Sequence, residues 1–522
     1  MATNSQEIIQ DVRVQFEYLL DFVTGEKAQT ATADHIERGL FKLLVVLGAS
    51  LLRLFFAMRS KACSRQALHT AANEILPYHR DTARHYYSIF GVITFERPYF
   101  YKQGLGSGMP LDEALSLGAE GYSDLLREMS GYLDVYSVYE KTADIFERLL
   151  GLSLSTRALQ KNVAEDSADV EAYYAQKPPP QPVLKATILV AQADGKGVPM
   201  ILEATAEGVE VEPVRLGKGQ KRGHKKEAIV TSTYTIASAV RTPEAVVASY
   251  FDLPPAKFVP EMPRAAGLFR SRPQNKHIWA TLEGKDVALV RLAKQITLHE
   301  GAHIQDRVAL CDGCAALQLR LATYLPGFSL VLDFIHASEY LWDVANALLG
   351  EANPQRFGWM TTQTLLMLSG KTDQLIADFR RQGQLAETST AQRKQLEKTA
   401  HYFERNLPYM DYPTYLAKGW PIASGVIEGA CRHFVKDRCE LSGMRWTQTG
   451  AESLLHMRAI AENGDWDAYH TFRKAQRHAR LYGKSTPAPT TIEAQALNLS
   501  PTILEVASIS RQQNYKELPL AA

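Results

Sequence analysis

Three apolar runs, each meeting an aspartate, constrain this chain more than any other feature. Residues 186–193 (ATILVAQA) lead into Asp194, residues 307–311 (RVALC) into Asp312, and residues 328–332 (FSLVL) into Asp333. Near-continuous apolar runs of this length, bounded by acids and glycine, read as strands buried on both faces. Stretches of helical period at 285–299, 315–324 and 333–349 lie between and after them. Strands alternating with helices make an α/β sheet, and a site on such a sheet belongs at the strand ends.

A fourth acid comes much later. Residues 425–446, GVIEGACRHFVKDRCELSGMRW, put Glu428 near the start of a helix-compatible segment and follow it with Arg432, Lys436, Arg438 and Arg445. A carboxylate followed by cations at helical spacing is a solvated face in most proteins. Convergence with two strand-end acids would give it another meaning, because three carboxylates can hold divalent metal against a phosphodiester. Mg²⁺ takes oxygen ligands and keeps several waters, so such a set is sufficient. Spacing leaves the middle acid open, since Asp312 and Asp333 both close short strands.

The bulk numbers admit this chemistry without selecting it. Lys plus Arg (58) and Asp plus Glu (57) nearly cancel, so contacts to nucleic acid must come from local basic patches. A hydrophobic share of 46% over 522 residues supports several domains with real cores. Five cysteines, an odd number, suit a reducing cytosol better than a disulfide framework. The pair Cys311 and Cys314 is discounted as a zinc or redox site, because its partners would be the widely spaced Cys431 and Cys439. No secretory signal is visible at the N-terminus. The most apolar window, 40–56, is interrupted by Lys42 and Arg53, which predicts a buried helix rather than a membrane span.

Along the chain, residues 1–90 are expected to form a helical N-terminal region, and 91–176 short strands followed by a helix-turn-helix-like, DNA-binding region. In the latter, 139–150 makes a first helix, 151–153 a tight turn, and Ser155 caps a second helix that shows Arg157, Gln160 and Lys161 on its polar side. The proline-rich 177–182 is a linker. The sheet then occupies 183–350 and includes a basic, glycine-rich loop with Lys218, Lys221, Arg222, Lys225 and Lys226, suited to phosphate. A helical insertion spans 351–418, the last helix of the core 419–465, and a basic segment with a flexible tail 466–522.

Taken together, strand-Asp194, Cys311-Asp312-Gly313, Asp333-x-x-His336 heading a helix, and Gly425-x-x-Glu428-Gly429 followed by Lys436, Arg438, Gly443 and Arg445-Trp446 resemble the prokaryotic insertion-sequence transposases of the ISKra group. The likeness covers roughly residues 90–460. It implies a ribonuclease-H-like mixed sheet with a helical insertion, similar to the catalytic domain of Mutator-like elements. It implies that Asp194, Asp312 and Glu428 are the ligands of two Mg²⁺ (or Mn²⁺) ions, with Asp333 and His336 on an accessory catalytic motif. Lys436, Arg438 and Arg445 would join the basic loop in holding phosphate. The partners implied are the terminal inverted repeats of an element and target DNA, bound by a homodimer in the bacterial cytoplasm, at the nucleoid, and no membrane. The cysteine pairs that hold zinc in many relatives are missing around 90–120, so no zinc ribbon is expected. Two rivals stand beside this expectation: a metal-dependent nuclease that cuts without joining, and a catalytically silent DNA-binding regulator.

Overall fold

Helix α1 (Ser5–Thr24) and the 30-residue α2 (Ala33–Ala62) open the chain, and the side chain of Thr32 caps α2 by accepting from the His35 amide at 3.3 Å. This computed structural model describes residues 5–70, 73–201, 225–252, 272–441 and 443–483. Lys218, Lys221 and Arg222 lie outside the described residues, as does the tail beyond 483. The chain divides into two compact units, one of residues 1–86, 92–123 and 474–522 and one of 87–91 and 124–473.

In the first unit the helices are followed by a four-stranded sheet, β1 (Ala67–His69), β2 (Ile75–Ser88), β3 (Gly91–Lys102) and β4 (Gly106–Gly108), in sequential order, and by the short helix α3 (Pro110–Ala114). Phe56 of α2 stacks on Phe95 of β3 with ring centroids 4.2 Å apart, and Ile93, Leu111 and Leu117 complete a small core. Two expectations need correction here. Residues 67–69 and 75–88 are strands, not helix: with most of β2 exposed, its apolar residues are too few to show a period of two, and pairing with neighbours decides. The apolar helix α2 is not buried. It is the one described helix long and apolar enough to cross a membrane, with mean hydropathy 2.1 in its most apolar window, yet only 6% of that window is buried. Its apolar residues run round more than one face, and a four-stranded sheet can cover only one.

The second unit begins with α4 (Asp124–Tyr136), α5 (Tyr139–Leu150), α6 (Thr156–Asp166) and α7 (Val170–Gln176). The turn between α5 and α6 forms as expected: Gly151 closes α5 in the left-handed region at φ 67°, and the Ser155 side chain caps α6 through the Ala158 amide at 3.2 Å. There follow β5 (Ile188–Pro199), β6 (Lys225–Ile236), α8 (Pro243–Tyr250), β7 (Gln274–Thr281), α9 (Lys285–Thr297), β8 (Asp306–Cys311), α10 (Ala315–Tyr324), β9 (Ser329–Leu332) and α11 (Phe334–Leu349). The five strands form a mixed sheet in the order β7-β6-β5-β8-β9, with β6 antiparallel to both neighbours and β5, β8 and β9 parallel.

The expected insertion is helical: α12 (Gln355–Leu368), α13 (Thr372–Gly383), α14 (Thr390–Asn406) and α15 (Tyr412–Ala417). Met360, Met367, Phe379 and Phe403 join one core with Val190, Val308 and Val331 of the sheet, so these helices are bound into the fold by apolar burial. The chain returns through α16 (Gly425–Ala430), a π-helical turn at Cys431–Lys436 and α17 (Asp437–Cys439), then α18 (Gln448–Glu462) and α19 (Trp466–Tyr482). Residues 466–482, the first part of the expected basic segment and tail, form the helix α19. Alternating residues of β5 split between two cores: Ile188 and Val190 pack toward α11 and the insertion, Leu189, Ala191 and Ala193 toward α9 and α10.

Candidate functional site

The register of the parallel strands lines up three aspartates. Gln192 pairs with Leu310 and Cys311 with Leu332, so carrying the register forward sets Asp194 beside Asp312, and Asp312 beside Asp333. One expectation is corrected in detail. β5 does not stop at Asp194 but continues to Pro199, because residues 195–199 pair with the first residues of β6. Its pairing with β8 does end at Gln192, which leaves the edge of β5 open on that side where Asp194 sits.

Each aspartate is held differently. Asp194 is half-buried; Oδ1 accepts the Gly195 amide at 2.6 Å and Oδ2 the Cys431 thiol at 3.2 Å. Asp312, also half-buried, accepts the Cys314 amide on Oδ1 at 2.9 Å, and among the described residues Oδ2 takes no protein hydrogen bond. Helix α14 clamps its loop: the Tyr402 hydroxyl donates to the Asp312 carbonyl at 3.0 Å and Arg405 to the Gly313 carbonyl at 2.6 Å. Gly313 has φ 87°, and a Cβ there would lie 2.5 Å from the Tyr402 hydroxyl, so the turn requires glycine twice over. Asp333 is fully buried. Its Oδ1 accepts the Ile335 amide at 2.7 Å and caps α11, while Oδ2 accepts both the amide of Ser424, at 2.9 Å, and its hydroxyl.

Glu428 comes to the sheet from α16. Its Oε1 lies 3.3 Å from the Ser424 hydroxyl and 3.7 Å from Nε2 of His336, whose Nδ1 is 3.2 Å from Glu339. Asp333, His336 and Glu428 offer ligand atoms all within 4.8 Å of one another, a spacing that could hold a metal ion. The expected trio of Asp194, Asp312 and Glu428 does not reach that spacing among the described residues. Asp194 is nonetheless tied to the segment that bears Glu428 through Cys431, three residues further on. The π-helical turn that begins at Cys431 is steadied by the buried Arg458, which donates to the carbonyls of Phe434 at 2.7 Å and His433 at 2.6 Å. Inserted turns of this kind often mark functional sites.

The electrostatics follow from this crowding. Burial raises the Asp333 carboxyl above its usual range, against the lowering effect of its hydrogen bonds from Ser424 and Ile335. Burial also raises Glu428, and the nearby Asp333 adds to the effect while His336 opposes it. For His336, burial favours the neutral ring, but Asp333, Glu339 and Glu428 outweigh it, so the imidazole holds its proton to higher pH than usual. Burial and the facing Asp194 push the Cys431 thiol far up, which keeps it a donor.

The expected phosphate contacts separate into three groups. Arg157, Gln160, Lys161, Lys436 and Arg445 are exposed, with Lys161 3.5 Å from Glu165. Lys225 pairs with Glu440, and Lys226 donates to Gln448 at 2.6 Å. Arg438 does not belong with them. It is 1% exposed, lies over the rings of Tyr139 and Trp446 at 5.2 and 5.1 Å, and donates to the Asp134 carbonyl at 2.8 Å, because the helical face that carries it turns into the core. Cys311 is likewise a buried core thiol, raised by burial to about 11. Sequence reasoning missed Ser424, Cys431, Tyr402 and Arg405. The first two stand four residues before and three after Glu428, a helical spacing that puts them on its face; for the last two, 90 and 92 residues from the carbonyls they hold, the sequence carries no signal. The chain matches no family model, and no curated protein matches it.

Proposed function

We propose that this protein is a metal-dependent DNA transposase, resembling the ISKra group, with Asp194, Asp312 and Glu428 as the metal ligands. The observation that carries the reading is the row of Asp194, Asp312 and Asp333 across three parallel strands, with Glu428 brought to its Asp333 end from a helix far along the chain. A ribonuclease-H-like fold is supported by the order β7-β6-β5-β8-β9 with β6 alone reversed. Between the two candidates for the middle ligand, hydrogen bonding favours Asp312. Asp333 spends both oxygens on Ser424 and Ile335, whereas Asp312 keeps Oδ2 for an incoming cation.

The donor set fits Mg²⁺ or Mn²⁺, being oxygen-only and half-buried, for ions that complete their shell with water and substrate oxygens. When bound, a pair of such ions supplies charge for an in-line displacement at phosphorus. The chain does the positioning. Cys431 orients Asp194, α14 fixes the turn after Asp312, and Ser424, anchored on Asp333, stands against Glu428. Protonated His336, beside Glu428, is placed to donate to a phosphate oxygen. In the first step water bonds to phosphorus and the 3′-oxygen departs as a hydroxyl. In the second, that hydroxyl bonds to a target phosphorus and displaces the target's own 3′-oxygen, so no cofactor is consumed. All five cysteines are free thiols, which supports a reducing cytoplasm.

The test is incubation of the purified protein with labelled duplexes from the DNA flanking its own gene, a supercoiled plasmid and Mg²⁺. Joined product supports the proposal. Nicking without joining favours a nuclease, and binding without either favours a silent regulator.

A further inference from the structure

Helix α14 packs Leu396, Ala400 and Phe403 into the core, and its opposite side carries Lys394, Lys398, His401 and Arg405, all exposed. Spacing of four, three and four residues lines these groups up as one narrow stripe. At the rise of an α-helix the stripe runs about 16 Å. One end is fixed at the candidate site: Arg405 donates to the Gly313 carbonyl at 2.6 Å, and Tyr402 of the same helix to the Asp312 carbonyl at 3.0 Å. A row of cations therefore leads away from the turn that follows Asp312.

Mixed charge on an exposed helix is commonly a solvated face and nothing more, so the acids around the stripe decide how it reads. Glu397 and Glu404, beside it on α14, are both taken up by Arg380 of α13, at 3.7 and 2.8 Å. Glu339 of α11 lies against His336 at 3.2 Å. Asp343 of α11 is 3.4 Å from Lys398, but both side chains are more than half exposed, so the pair is weak and can exchange for a phosphate. Lys394 makes no ion pair among the described residues. The stripe is thus left with more positive charge than its neighbours neutralise.

Its cations are also held in place in advance. Tyr340 and Tyr402 stack with ring centroids 3.7 Å apart, and Lys398 lies 5.2 Å over the first ring and Arg405 5.7 Å over the second. Helix α14 is fixed at both ends, by the capping box of Ser389 and Gln392 and the Gln392 bond to the Ala347 carbonyl at one, and by Tyr402 and Arg405 at the other. Side chains ordered beforehand lose less entropy on binding.

We propose that this stripe carries the phosphate backbone of the DNA strand that enters the site, with Arg405 nearest the reacting phosphate and Lys394 furthest from it. Its length matches several successive phosphates of one strand. Such contacts fix the strand's position and read no sequence. The proposal rests on the transposase reading and adds the route by which the substrate reaches Asp312.

The test is binding of the full chain, in EDTA and over a range of KCl concentrations, to labelled duplexes from the DNA flanking its own gene. Lys394→Ala with Lys398→Ala should lower the slope of log affinity against log salt by about two and weaken binding by about tenfold or more, with the melting temperature unchanged. Lys394→Arg with Lys398→Arg should keep the wild-type slope. Arg381→Ala with Arg393→Ala removes as much charge from α13 and from another side of α14, and should also keep it. Ethylation of successive phosphates on one strand beside the cut bond should block binding by the wild type and no longer do so in the Lys394 and Lys398 double alanine variant. A wild-type slope in that variant, an equal loss in the Arg381 and Arg393 control, or an unchanged ethylation pattern overturns this proposal and leaves the transposase reading standing. A wild type that binds none of the duplexes overturns both.

Discussion

The Asp333 carboxylate accepts the amide of Ser424 at 2.9 Å and its hydroxyl as well, across 91 residues of chain. This one relationship joins the end of β9 to the start of α16, and so decides where Glu428 lies. It also separates Asp333, whose two oxygens are taken by Ile335 and Ser424, from Asp312, whose Oδ2 takes no protein hydrogen bond among the described residues.

Asp312→Ala and Asp333→Ala should therefore fail in different ways. Loss of Asp333 removes the cap of α11 and leaves the buried Ser424 amide without its acceptor, a cost of about 3 kcal/mol in stability. Loss of Asp312 removes one local turn bond and should cost about 1 kcal/mol. Strand joining should nonetheless fall by about a thousandfold or more in the Asp312 variant. Urea unfolding alongside the joining assay separates them, and full activity of Asp312→Ala would overturn its assignment as a ligand.

The raised His336 fixes the sign of a pH effect. A histidine whose folded value exceeds its unfolded value of about 6.5 contributes stability that is complete below that value and lost as pH rises through the folded one. Asp333 and Glu428, also raised, act in the same sense at lower pH. In metal-free protein the wild type should lose more stability than His336→Gln as pH rises from the unfolded His336 value through the folded one. Melting temperatures of both across that range check it, and the His336 ring proton shift should titrate lower in Asp333→Asn.

Gly313→Ala should be costly out of proportion to one methyl group. The left-handed backbone and the collision with Tyr402 together should lower stability by about 2 kcal/mol. Adding Tyr402→Phe removes the nearest atom but leaves ring carbons at 2.9 and 3.0 Å, keeps the backbone strain and loses the hydrogen bond to the Asp312 carbonyl, so the melting temperature should not return to that of the wild type.

Arg438 and Arg445, seven residues apart, should behave as different kinds of residue. Arg438→Ala empties a place between two aromatic rings and leaves the Asp134 carbonyl without its donor, so it should destabilise by about 3 kcal/mol. Arg445→Ala and Lys436→Ala, both exposed, should leave stability unchanged and weaken DNA binding with a shallower salt dependence. Unfolding and binding titrations at several salt concentrations distinguish them.

Local chemistry was enough to write much of this fold in the sequence. The buried strands, the helices at 315–324 and 334–349, the Ser155 cap and the helical insertion all follow from apolar period and capping residues, which act within a few positions of themselves. Sequence alone also pointed to Asp312 and Asp333, because an apolar strand that ends on a carboxylate is visible without a partner. It did not reveal which acid is free, since that depends on Ser424 reaching Asp333 from 91 residues away. Nor did it reveal that Arg438 is buried while Arg445 is exposed, or that α2 leaves a face uncovered. Those outcomes belong to tertiary structure, because hydrogen-bond partners and burial are set by whatever the fold brings alongside, and no residue carries that information in its own neighbourhood.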